Sequence, residues 1–291
     1  MACIEGSSPQ ILGSYFYENS AAYGAGLYCE NSSPSLEDVE FIDNYGLSGA
    51  GLYCVGGSPR LVACRFPGNY ADDSGGAAYF YDCSPTLIDC NFRNQEAFGG
   101  GGAIWCGAGS IDCLLTIRGC SFCENNGGMS GGAIHCVGAD GRCDLYLENC
   151  TIAQNEAWLN GSGVSLAGNS SSSLENTIIA FNLGPEGLYC EEQNVPALIC
   201  CDIYANEGGD WVGGIADQYG LGGNFSADPL FCGASGYLYC NLVVEDCSPC
   251  LPGNHPDGYD CGDIIGAYGA GCACGTATEP TTWGAIKSMY K

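Results

Sequence analysis

Positive charge is nearly missing from this 291-residue chain: seven lysines and arginines stand against 33 acidic residues, a formal net charge of −26. No cationic surface exists to displace the counterions of a phosphate backbone, so nucleic acid is excluded as a partner. Histidine is also scarce, with only His135 and His255. That leaves few groups able to exchange protons near neutral pH. No apolar run is long enough to span a bilayer as a helix, and no charged and apolar leader opens the chain. No stretch keeps a 3.6-residue apolar period for the ten or so positions that a helix needs, so helical and leucine-rich repeats fit poorly.

What is present is glycine (47), cysteine (23) and a recurring phrase of about 25 residues. One copy reads Ser33-Pro34, Leu36, Val39, Phe41, Asn44, Gly49-Ala50-Gly51-Leu52-Tyr53-Cys54. The next reads Ser58-Pro59, Leu61, Cys64, Phe66, Asn69, Gly75-Gly76. The Phe/Ile position continues through Phe16, Phe41, Phe66, Phe92, Phe122, Ile152, Ile179 and Ile203. Three residues later come Asn19, Asn44, Asn69, Asn125, Asn155, Asn182 and Asn206, with Asn94 one place early. Within each run the apolar positions alternate, the period of a strand. A unit too short to bury its own apolar side must stack on its neighbours. The reading is therefore all-β: a right-handed, single-stranded parallel β-helix of about eight coils, with rungs roughly 4.8 Å apart and glycine at the φ > 0 corners. The asparagines are expected to stack at one corner, their amides bonding adjacent coils.

The segments Gly101-Gly102-Ala103-Ile104 and Gly131-Gly132-Ala133-Ile134, each near a Phe-x-x-Asn such as Phe122 to Asn125, resemble the repeats of chlamydial-type polymorphic outer-membrane proteins. More broadly they resemble secreted bacterial parallel β-helix repeat proteins. The likeness covers roughly residues 8–206. Asp228-Pro229-Leu230-Phe231 followed by Cys247-Ser248-Pro249 resembles the closing segment after such helices. The resemblance implies an extracellular or surface-displayed rod, often adhesive, and no single enzymatic activity.

So many cysteines point to an oxidising compartment. Cys83, Cys113 and Cys143 each precede Cys90, Cys120 and Cys150 by the same seven residues, which puts them at equivalent places on successive coils. Bridges Cys29 to Cys54, Cys106 to Cys136 and Cys113 to Cys143 then have suitable Cα separations. A buried ladder of free thiols is the competing reading, and both stay open for the Cys64, Cys90, Cys120, Cys150 column. Because the total is odd, at least one thiol lacks a partner within the chain. Cys120-Ser-Phe-Cys123 and Cys247-Ser-Pro-Cys250 have half-zinc-site spacing, a weak signal in a chain this rich in thiols. Loop carboxylates Asp72 and Asp73, or Asp257, Asp260 and Asp263, make calcium the one conceivable cofactor.

Polysaccharide-cleaving β-helices need facing carboxylates, or a base beside a cation. Here the arginines are scattered one per coil, and Arg65 lies opposite Glu40 one coil earlier, where an ion pair explains it. A polysaccharide-active enzyme is therefore the runner-up. The preferred site is the outward position of the Leu-Tyr-Cys run: Tyr28, Tyr53, Tyr79, Trp105, His135 and Tyr189. These form an aromatic stripe along the rod that suits the C–H faces of a glycan chain, or that simply stabilises the sheet. The chain opens in mid-repeat, so its first coil is expected to expose strand edges and to invite self-association. The division is repeats over 1–224, a Cys-rich C-terminal cap over 225–274, and a linker with a short tail over 275–291. The function expected is that of an extracellular or cell-surface structural or adhesive protein, with a glycan or another surface protein as partner.

Overall fold

The computed structural model describes residues 1–232 and 240–275; most of the expected tail, beyond 275, lies outside them. The chain winds as a right-handed parallel β-helix, the hand that right-twisted strands impose on parallel crossovers. Three eight-stranded parallel sheets run its length and a four-stranded sheet forms a fourth side near the start. One coil shows the plan: Leu52–Val55 on the first sheet, Arg60–Val62 on the second, Arg65–Pro67 on the third and Tyr70–Ser74 on the fourth. No helix among the described residues is long and apolar enough to cross a membrane.

Two corners repeat a left-handed backbone turn in every coil. Between the second and third sheets it falls on Gly13, Asp38, Ala63, Asp89, Gly119, Asn149, Asn176 and Cys200, with φ between 47° and 62°. After the third sheet it falls on Glu18, Asp43, Gly68, Asn94, Glu124, Gln154, Phe181 and Ala205. Glycine, asparagine and aspartate tolerate this conformation best, which explains their periodic return.

Inside, each sheet contributes a column. Leu36, Leu61 and Leu87 line the second sheet and Leu27, Leu52 and Ile104 the first, all fully buried. On the third sheet Phe16, Phe41, Phe66, Phe92 and Phe122 stack ring on ring with centroids 4.7–4.9 Å apart, and Ile152, Ile179 and Ile203 continue in register. Beside them runs an amide ladder, in which Asn44 Nδ2 donates to Asn69 Oδ1 at 2.8 Å and Asn125 Nδ2 to Asn155 Oδ1 at 2.8 Å. The expected early rung at Asn94 is corrected. Asn94 takes the left-handed corner, and Gln95, with one more methylene, fills the rung. Arg65 does bridge to Glu40, and also lies 3.5 Å from Asp38.

The Cys-rich segment does more than close the end of the coil. Trp211 and Ile215 pack on that end, where Cys201 N donates to Asn224 Oδ1 and Trp211 Nε1 to Phe225 O. Residues 240–275 instead return along the third sheet as a strap. Cys123–Cys240 and Cys200–Cys261 bind it to the rod, Cys232–Cys272 ties it to the segment that precedes it, and Cys247–Cys274 closes it internally. Tyr268 Oη and Ser121 Oγ lie 2.8 Å apart, and Gly266 N donates to Asn176 O at 2.7 Å.

Under the strap lies a fully buried carboxyl, Asp202. One oxygen accepts from Ala227 N at 3.1 Å and the other from Cys250 Sγ at 3.4 Å. Burial raises its pKa well above the usual carboxylate range, with Asp210 and Asp228 adding to the rise. Because the folded value exceeds the unfolded one, this contribution is complete below the unfolded pKa and is lost as pH climbs through the folded one. Melting temperature should therefore fall as pH rises above the ordinary carboxylate range. Thermal scans of Asp202→Asn should show a shallower fall and a more stable protein at the upper end. An unchanged slope would remove Asp202 as its source.

Candidate functional site

The outward position of the first sheet forms one register column. It runs Tyr28, Tyr53, Tyr79, Trp105, His135, Ser165 and Tyr189. The structure thus brings all six expected residues into one line, with Ser165 interrupting it. Four of the rings form a continuous stack: Tyr28 to Tyr53 at 5.6 Å, Tyr53 to Tyr79 at 4.8 Å and Tyr79 to Trp105 at 4.3 Å, with planes within 6°. Tyr23 leans onto Tyr53 from the fourth sheet at 5.1 Å. Trp105 lies over Gly107, where any Cβ would run into its ring.

This geometry fixes what the column can do. Consecutive rings spaced by the coil repeat cover each other's faces, so only edges and hydroxyls look outward. Burial, then the neighbouring Tyr53, raises the pKa of Tyr79. Beyond Trp105 the column turns polar. Burial lowers the pKa of His135 to about 4, leaving it neutral at physiological pH, and neither its Nδ1 nor the Oγ of adjacent Ser165 has a hydrogen-bond partner.

The thiols hold a second surprise. Cys29 and Cys54, Cys106 and Cys136, and Cys113 and Cys143 are register partners, as expected, but all six are free and buried. The expected bridges are corrected for a steric reason. In-register side chains on parallel strands point the same way, so their Cβ atoms keep the strand spacing of roughly 4.8 Å, whereas a disulfide wants about 3.8 Å and converging vectors. The two Cys-x-x-Cys spacings also part company: Cys123 bonds Cys240 and Cys247 bonds Cys274, while Cys120 stays a thiol and Cys250 donates to Asp202. Among the described residues one group of three potential metal ligands occurs, Glu245 with Cys247 and Cys274, and its two sulfurs are bonded to each other. The acids considered for calcium accept the following hydrogen bonds. Asp72 accepts from Tyr45 Oη, Asp73 from Ser48 Oγ, Asp260 from Gly262 N and Asp263 from Ile264 N. Asp257 is exposed, and its backbone N donates to His255 Nδ1.

Sequence reasoning missed a groove on the second sheet. Two consecutive coils lengthen its strands to six residues, Cys113–Arg118 and Cys143–Glu148, and the next coil returns to three, Ser173–Glu175. The step leaves a groove of about 300 Å³ lined by Leu114, Arg118, Asp144, Tyr146, Ser171 and Ser173. Tyr146 has Thr116 and Ser173 as its rung neighbours, so no ring covers it along the rod. The Arg118 guanidinium lies 5.4 Å from its centroid and is held by Glu148 at 2.7 Å. Asp144 pairs with Arg142 at 2.5 Å and accepts from Ser171 N. The available signal was the spacing of the phenylalanines: 30 residues separate Phe92 from Phe122, against 25 between Phe41 and Phe66.

No protein-family model matches the chain, and no curated protein matches it. Among solved structures it is similar to QnrB1, a plasmid-mediated fluoroquinolone resistance protein, at 19% identity, with 78% of this chain and 93% of that chain covered and a TM-score of 0.22.

Proposed function

We propose that this chain is a rigid extracellular or cell-surface rod with a structural and adhesive role, and that it contacts neutral glycan chains at the Tyr146 groove. The observation that carries this reading is the Tyr146 ring at the strand-length step, which no neighbouring ring covers and which carries the Arg118 guanidinium beside it. A tyrosine lining the groove with Asp144, Arg118, Ser171 and Ser173, its hydroxyl donating to Glu148 at 3.2 Å, offers both an apolar platform and hydrogen-bonding partners for sugar hydroxyls. A net charge of −26 disfavours polyanionic glycans, which makes a neutral one the better ligand. The closed stack of Tyr28, Tyr53, Tyr79 and Trp105 supports a stiffening role for that face. The resemblance of the Gly-Gly-Ala-Ile repeats to those of polymorphic outer-membrane proteins supports a surface location, as does the cysteine content.

Screening the protein against immobilised neutral glycans, then titrating the best binder, tests the proposal. Tyr146→Ala should weaken binding about tenfold, equivalent to the roughly 1–1.5 kcal/mol of an aromatic contact, with little loss of stability. Tyr53→Ala should lower the melting temperature and leave binding alone. If Tyr53→Ala abolishes binding and Tyr146→Ala does not, the ligand uses the stripe and the groove is discarded.

A further inference from the structure

Cys54 and Cys83 meet although they are not register partners. The register partner of Cys54 on the next coil is Phe80. Cys83 stands three positions further on, past the strand Ala78–Tyr81, where the chain has begun to turn toward the second sheet. The two side chains therefore enter the interior from different sides of the rod and converge. Their sulfurs are 3.4 Å apart, and Cys83 Sγ also lies 3.4 Å from Cys54 O. Both residues are buried, at 0% and 1% exposure, and neither belongs to the four bridges of the strap and cap.

We propose that Cys54 and Cys83 are the site of a further disulfide, one that staples two successive coils when the protein meets a small-molecule disulfide. The covalent step is ordinary thiol–disulfide exchange. The Cys54 thiolate attacks one sulfur of the reagent, forming a mixed disulfide and expelling one reagent thiolate. The Cys83 thiolate then attacks the Cys54 sulfur, forming the Cys54–Cys83 bond and expelling the second. Two protein thiols are oxidised, one reagent disulfide is reduced to two thiols, and the two protons given up by the cysteines end on the departing sulfurs. Forming the bond requires the 3.4 Å sulfur contact to close to about 2.05 Å.

The native environment sets when this happens. Thiol contacts with Cys29 and Cys83, together with burial, raise the pKa of Cys54, so little thiolate exists in the closed rod. Exchange therefore proceeds as the coil folds or when it opens. Once made, the bond closes a loop of one full coil and stays shielded from reductant. Cys83 has one competing neighbour, since its backbone N donates to Cys113 Sγ at 3.1 Å. Cys54 has another in Cys29, its register partner.

The test refolds the full chain in oxidised and reduced glutathione, alkylates remaining thiols under denaturing conditions and maps linked peptides by mass spectrometry after peptic digestion. The expected result is a peptide pair joining Cys54 to Cys83, beside those of the strap, with a melting temperature above that of the protein refolded without oxidant. Removing the competitors, in a Cys29→Ser/Cys113→Ser variant, should leave the same pair. Recovering Cys54 and Cys83 alkylated while Cys200–Cys261 is linked would overturn the proposal. So would finding Cys54 joined to Cys29, or Cys83 to Cys113. Because the mapping is done on the unaltered chain, a variant that fails to fold does not decide the question.

Discussion

Phe66→Ala is expected to destabilise the protein by about 3–5 kcal/mol, among the largest effects of any single substitution in the rod. The ring is fully buried and sandwiched between Phe41 and Phe92, each at 4.7 Å. Removing it opens a cavity in the middle of the spine and strips one face from each neighbour, which forfeits stacking worth about 0.5–1.5 kcal/mol per pair beyond the lost burial. The space has little means of collapsing. Phe41 and Phe92 are fixed by hydrogen-bonded strands of their own, and Gly51 approaches the Phe66 ring so closely that a Cβ there would lie 3.2 Å from its Cδ1. Urea denaturation followed by circular dichroism measures the loss. Phe66→Ile should cost less, because the same position holds Ile152, Ile179 and Ile203 in later coils. A loss below about 1 kcal/mol for the alanine variant would mean that the phenylalanine stack is not the spine of the fold.

The fold could be read because one period governed several residue types at once. Phenylalanine, asparagine, leucine and the Gly-Leu-Tyr-Cys run recur together, and once rungs are stacked each becomes a column. Alternation alone then put Leu52 and Cys54 inside and Tyr53 on the outer face. What the period could not give was any relation outside it. The strap follows no repeat, so the partners of Cys123 and Cys200 were invisible. Cys240 and Cys261 reach them only by folding back along the third sheet.

The site was less legible than the fold. Register placed Tyr28, Tyr53, Tyr79 and Trp105 in line, yet the same register makes each ring the cover of the next, and this follows from ring size against coil spacing rather than from any motif. The bridges between register partners failed on direction and not on distance, since Cα separation says nothing about where Cβ vectors point. The Tyr146 groove arises where the repeat changes length, which a search for sameness passes over.

Asn125→Leu should cost about 2–6 kcal/mol even though it adds apolar surface to an apolar interior. Asn125 is 1% exposed, and three hydrogen bonds end on its side chain. Its Oδ1 accepts from Gln95 N at 3.1 Å, while its Nδ2 donates to Phe92 O at 3.1 Å and to Asn155 Oδ1 at 2.8 Å. Leucine leaves the Gln95 N–H and the Phe92 carbonyl without these partners, at about 1–3 kcal/mol for each buried group. Asn155 Oδ1 suffers less, because it keeps the backbone N of Asn125 at 3.0 Å. The end of the ladder supplies the control. Asn19 is exposed, and its Nδ2 donates to Asn44 Oδ1, which also receives Asn19 N. Asn19→Leu therefore orphans no buried backbone group and should stay within about 1 kcal/mol of the parent. Hydrogen exchange adds a spatial readout, since each coil contacts chiefly its neighbours and damage at one rung should open the coils beside it first. Faster exchange around Gln95 and Asn155 in Asn125→Leu, with the amides near Asn44 unchanged, is the expected pattern. Uniform acceleration along the rod would instead mean that the ladder acts on the whole helix as one cooperative unit.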